Sequence, residues 1–131
     1  MINTTVIDTN VILRYLLNDH EAHFEVAKTF MLEVKAGNQF AYIPDSVIAE
    51  CVFVLLKVYK IPKSDICEKL AKICTYTGII ESNREILSLS LALYSKHNVD
   101  IVDAIVHATA QCQKWEKISF DHDMKKFTLS A

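Results

Sequence analysis

The sequence predicts an α/β domain, with helices flanking a mainly parallel sheet. Short β-branched or aromatic runs alternate with longer stretches of helical apolar spacing, the pattern of strand–helix units. The first run, Thr4-Thr5-Val6-Ile7, stops at Asp8 and a helical pattern begins at once, and Ile118-Ser119-Phe120 before Asp121 repeats that strand-then-acid order. The chain has 131 residues, 51% of them apolar, which fits one domain over 1–131 with a sizeable core.

Element by element, Thr4 to Ile7 reads as a short buried strand and Val11 to Leu17 as a helix. Ala22 to Lys35 carries apolar residues at helical spacing and ends at Gly37, which suits a C′ position. Phe40 to Ile43 is a second strand closed by Pro44, after which Asp45 or Ser46 can cap a long apolar helix through Tyr59. Pro62 separates it from a helix over roughly 65–76, with Asp65 and Glu68 at capping-box spacing. Gly78-Ile79-Ile80 is a brief strand, and Ser82-Asn83-Arg84-Glu85 reads as a capping box opening a helix to about His97. Asp100 to Gln113 is a further helix, Lys117 to Phe120 a last strand and Asp121 to Lys126 a short final helix. There is no internal repeat, low-complexity tract or interdomain linker.

No apolar run is long enough to span a bilayer, and the first residues lack the basic start and apolar stretch of a signal peptide, so a cytoplasmic location without membrane attachment is expected. Cys51, Cys67, Cys74 and Cys112 form no C-x-x-C pair and fall in helices, which reads as buried free thiols. A net charge of −2 gives no general pull on nucleic acid, so any such contact needs local basic residues or bound metal.

The chemistry-bearing residues are acids. Asp8 stands where a strand ends, the place where α/β sheets bind ligands, and it also suits a helix cap. Glu50 lies in Val47-Ile48-Ala49-Glu50-Cys51-Val52-Phe53-Val54, a helix apolar nearly all round, where a lone carboxylate is costly unless paired or bound to metal. Asp100 suits an N-cap, which gives Asp103 a plain role as a first-turn acid favoured by the helix dipole. Asp121 and Asp123 come after the last strand, and either could act as a cap. Carboxylates meeting at one sheet edge would form a site for hard divalent cations, able to support phosphodiester chemistry. His20 and His23 are expected to face solvent, and His107 to be a satisfied, partly buried histidine. His122 stands beside Asp121. With only Gly37 and Gly78, the chain has no glycine-rich phosphate loop.

Together these segments resemble the PIN-domain nucleases, most closely the VapC-type toxin ribonucleases of toxin–antitoxin pairs. The resemblance rests on four motifs in order: Asp8-Thr9-Asn10-Val11-Ile12-Leu13-Arg14-Tyr15-Leu16-Leu17, Ile48-Ala49-Glu50, Val102-Asp103-Ala104-Ile105, and Ser119-Phe120-Asp121-His122-Asp123-Met124. It implies a three-layer α/β/α sandwich with a central, mainly parallel sheet. It also implies Mg²⁺- or Mn²⁺-dependent endoribonuclease activity, a homodimer and a small antitoxin partner. Asp8, Glu50, Asp103 and Asp121 would be the catalytic and metal-binding acids, with Asp100 and Asp123 as lesser candidates. Thr9, Asn10, Arg14 and Ser119 would support the site or touch RNA, and Arg14, Lys125 or Lys126 would meet phosphate. Ser119 stands where threonine is common in the family, and the chain closes soon after Asp121, so a short or absent terminal strand is expected. A PIN-domain nuclease that is not a toxin stays open beside the toxin, and two rivals of other classes are a catalytically silent PIN-like RNA- or protein-binding module and a receiver-type phosphotransfer domain. The second needs a phosphoacceptor aspartate after a central strand, for which Pro44-Asp45 is a faint echo, and a late lysine that the last strand does not supply at its end.

Overall fold

The computed structural model describes residues 3–120. Its elements run β1 (Thr4–Val6), α1 (Thr9–Leu17), α2 (Glu21–Ala36), β2 (Phe40–Tyr42), α3 (Asp45–Phe53), a π-helical turn (Val54–Val58), α4 (Lys63–Cys74), α5 (Glu81–Lys96) and α6 (Ile101–Gln113). The described residues are mostly helical, with one parallel sheet of two strands, β1 and β2. Thr4 pairs with Phe40 and Val6 with Tyr42, and the Ile7 N–H extends the ladder to the Tyr42 carbonyl at 2.9 Å.

The strand expected over Gly78–Ile80 is reduced to a single parallel bridge between Ala41 and Ile79. Its two hydrogen bonds, Ala41 N–H to Gly78 O and Ile80 N–H to Ala41 O, are made just before α5 begins at Glu81, which leaves no length for a strand. Gly78 is needed there: a Cβ would lie 2.0 Å from the Gln39 carbonyl oxygen. The strand expected over Lys117–Phe120 is absent. Ile118 and Phe120 are 86% and 100% exposed, with no sheet neighbour among the described residues. The short helix expected over Asp121–Lys126 lies outside the described residues.

The helices track their apolar stripes. Gly37 closes α2 in the left-handed region at φ 85°, as its position predicts. The long helix expected through Tyr59 is α-helical only to Phe53 and then widens into the π-turn, where Tyr59 N–H reaches back five residues to Val54 O. The side-chain caps expected for three helices are replaced by another device. α3, α4 and α5 start after Pro44, Pro62 and Ile80, each extended and without a side-chain cap. Asp45, Asp65 and Glu81 fall inside the first turns, where they favour the helix dipole instead.

Ile7, Ile12, Met31, Ile43, Ile48, Leu55 and Leu70 form the centre of one core. Within it α3, which carries Glu50, packs against both α1, which Asp8 caps, and α6, which carries Asp103. Cys51, Cys67 and Cys74 are buried and Cys112 half-buried, all as free thiols. No helix among the described residues is long and apolar enough to cross a membrane.

Candidate active site

Asp8 leaves β1 in an extended conformation and begins α1, its carboxylate accepting the Val11 N–H at 3.2 Å. The capping reading of Asp8 is therefore correct, yet the residue stays exposed at the end of the strand. Thr9, the first residue of α1, is buried, whereas Asn10 is exposed. Asp8, Asn10 and Arg14 line a cavity of about 430 Å³ with Phe30 from α2, Asn10 and Arg14 lying one turn apart on α1. The Arg14 guanidinium is already engaged: its Nη1 lies 2.7 Å from Asp19 Oδ1, and the Tyr59 hydroxyl donates to the other oxygen of Asp19 at 2.9 Å. The phosphate role expected of Arg14 would have to compete with that pair.

Glu50 departs from its expected surroundings. It is exposed, and so are its same-face neighbours Ser46 and Phe53. The core stripe of α3 is Ile48, Cys51 and Val52, so the apolar sequence around Glu50 includes residues that face solvent. The burial penalty anticipated for this carboxylate therefore does not arise. Glu50 makes no hydrogen bond or ion pair among the described residues. Its position is felt at Cys51, whose thiol is pushed up to about 12 by burial, then by the negative charges of Glu50 and of Asp8. Packing of α3 on α1 thus brings these two acids within electrostatic reach of one buried thiol.

Asp100 occupies the N-cap position of α6 but makes no side-chain cap bond, and Asp103 stands in the first turn. Both line a groove of about 730 Å³ between α6 and the wall formed by α3 and the π-turn. That wall includes Ala49, Val52 and Phe53 of α3, which packs against α6, so Asp103 faces the helix that carries Glu50, although Glu50 itself does not line the groove. His107, one turn after Asp103, is buried as expected, with Lys117 Nζ 2.6 Å from its Nδ1. Burial and then the Lys117 charge hold the imidazole below the usual histidine range. Burial likewise lowers the Lys117 ammonium. His20 and His23 are exposed and stack on each other, as anticipated for a polar helix entry.

Asn83 is the positioning residue that sequence reasoning missed. It lies inside the segment read as a Ser82–Glu85 capping box, and it is buried, accepting the Ile43 N–H and donating to the Ile43 carbonyl, each at 2.8 Å. The amide thus imitates a neighbouring strand and fixes the chain where β2 hands over to α3, the helix of Glu50. Arg84 beside it donates to the Tyr76, Thr77 and Ile79 carbonyls and holds the loop before α5. Nothing in the sequence singles out this asparagine, and only its partner across the fold reveals the use.

The candidate acids are all hard oxygen donors, a chemistry that fits Mg²⁺ or Mn²⁺. Among the described residues, however, no group of three or more Asp, Glu, His or Cys side chains is gathered closely enough to hold a metal ion. Asp121, His122, Asp123, Lys125 and Lys126 lie outside the described residues, and Ser119 is exposed. No curated protein sequence matches the chain significantly. A family model described as the PIN domain matches residues 5–128, nearly the whole chain. The chain therefore belongs to the PIN-domain family, whose members are typically nucleases.

Proposed function

We propose that this protein is a metal-dependent endoribonuclease that hydrolyses RNA phosphodiester bonds, and that it is the toxin of a VapBC-type toxin–antitoxin pair. The observation that carries the nuclease reading is the match of residues 5–128 to the PIN family, with α3, the helix of Glu50, packed against α1, the helix that Asp8 caps. Asp8, Glu50, Asp103 and Asp121 would hold Mg²⁺ or Mn²⁺, and Asp100 and Asp123 are reserves on the same two segments. When bound, the cation supplies charge neutralisation at the scissile phosphate and a more acidic bound water. One of the carboxylates would orient a water for in-line attack on the phosphate. Exposure of Asp8 and Glu50 suits this role, since neither carries a burial penalty and Glu50 has no competing partner among the described residues.

The three-layer α/β/α arrangement, a single domain over 1–131, a cytoplasmic location, a homodimer and a small antitoxin partner belong to the same reading. A silent PIN-like binding module is the second reading, favoured by the absence of a gathered metal group among the described residues.

Asp8→Asn decides between them. Asparagine caps a helix as well as aspartate does, so α1 keeps its start while the negative charge is lost. The variant should melt like wild type and lose RNA cleavage, as the wild type should in EDTA. Cleavage at the wild-type rate by Asp8→Asn would end the metal-site reading.

A further inference from the structure

The groove between α6 and the α3–π-turn wall has features that the four-acid site does not use. Phe53 on one wall is 60% exposed and Val102 on the other is 56% exposed. Tyr94 lies beneath them, and Lys63 Nζ sits 4.2 Å from its ring centroid while donating to the His97 carbonyl at 2.9 Å. Lys57, on the π-turn, is exposed and makes no hydrogen bond or ion pair among the described residues. Lysines therefore come from the α3–α4 side and carboxylates from the α6 side, where Asp103 belongs to the proposed catalytic set.

We propose that this groove is a subsite for single-stranded RNA flanking the cleaved bond, with Phe53 as a stacking platform for a base and Lys57 as a phosphate contact. The inference rests on the nuclease reading and extends it to how the strand is held. An exposed aromatic beside lysines is the combination that holds single strands without reading their sequence: any base can stack, and the cation tracks the backbone. Phe53 lines the same groove as Asp103, so a strand held at Asp103 along this groove runs beside its ring. The rival occupant is a second copy of this chain laid on the same apolar residues. A two-fold interface presses one patch against itself, and a concave groove of about 730 Å³ does not fill itself.

The test uses the full chain, a fluorescein-labelled single-stranded RNA of about a dozen nucleotides, and an abasic oligonucleotide of equal length, with EDTA present to stop cleavage. Anisotropy titrations compare wild type, Phe53→Ala and Lys57→Ala. Phe53→Ala should weaken RNA binding about 5- to 100-fold and leave abasic binding unchanged. Lys57→Ala should weaken both oligonucleotides alike and lower the salt dependence by about one phosphate contact. Both residues are exposed, so circular dichroism should report intact folds. Wild-type affinity in both variants overturns the proposal, as does a wild type that binds no RNA. So does a Phe53→Ala variant that loses only self-association in sedimentation. RNA that is bound through Phe53 but never cut with Mg²⁺ restored removes the nuclease reading and leaves the groove; RNA cut with unaltered binding in the variants does the reverse.

Discussion

Glu50 shows how a side chain's surroundings change the meaning of a substitution. Because it is exposed and unpaired among the described residues, Glu50→Gln should alter stability by no more than about 0.5 kcal/mol. If it is a ligand, the same change should lower RNA cleavage roughly 100-fold or more, in keeping with loss of one group that stabilises transition-state charge. Parallel melting curves and initial rates on one purified variant check this, and unchanged rates would remove Glu50 from the site. The neighbouring thiol makes an independent prediction. The folded-state pKa of Cys51 is raised to about 12 from an ordinary value of 9.0, and that of Cys74 likewise. The unfolded chain therefore loses these protons first. Their contribution is fully present below pH 9 and is lost as pH rises toward 12, by roughly 4 kcal/mol per thiol at the upper end. Urea midpoints at pH 8 and pH 10 should show the fall, and Cys51→Ala should make it shallower. A Cys51→Ala slope equal to that of the wild type would contradict the burial assigned to this thiol.

Elements were legible where a long periodic stripe dictated them and illegible where a distant partner did. The stripes of α2 and α6 and the C′ glycine of α2 come from spacing alone. The caps do not, because α3, α4 and α5 enter from extended Pro44, Pro62 and Ile80, and the nearby acids that look like caps fall inside the first turn. Nor could sequence tell that α3 exposes Phe53 and Glu50 while burying Cys51, since apolar residues lie on both of its faces. Asn83 is the sharpest case, its partner being forty residues earlier in the chain. Replacing it by alanine leaves the buried N–H and C=O of Ile43 unmet, at a cost of about 2–4 kcal/mol. Chemical denaturation should read that loss; a change below about 1 kcal/mol would mean that water takes over both bonds.

At the scale of the whole molecule, the candidate acids come from separate segments, and among the described residues what relates Asp8, Glu50 and Asp103 is the packing of α3 against α1 and α6. Four motifs in sequence order were enough to indicate the family, whereas the distances between the acids were not readable, because they depend on how three helices cross. A cation shared among carboxylates binds the folded chain and not the unfolded one. Mg²⁺ at a hundred times its dissociation constant should therefore add about 2.7 kcal/mol of stability. For a domain of this size that is a rise of about 3–5 °C in Tm per kcal/mol. Thermal melts across a Mg²⁺ or Mn²⁺ titration at fixed ionic strength measure it. A Tm indifferent to both ions would favour the silent binding module.

A helix advances about 100° per residue, so a single surplus residue, absorbed at Val54–Val58, puts the turns on either side of it out of rotational phase. Glu50 and Phe53 keep step with Asp45 and the end of β2. Tyr59 is turned independently of them, and that extra rotation lets its hydroxyl reach Asp19 at the junction of α1 and α2. Deleting one residue from the turn would leave Glu50 in place and swing Tyr59 away from Asp19. Relatives differing in length by one residue here would keep the same acid on the same face while losing the tie between Tyr59 and the α1–α2 junction.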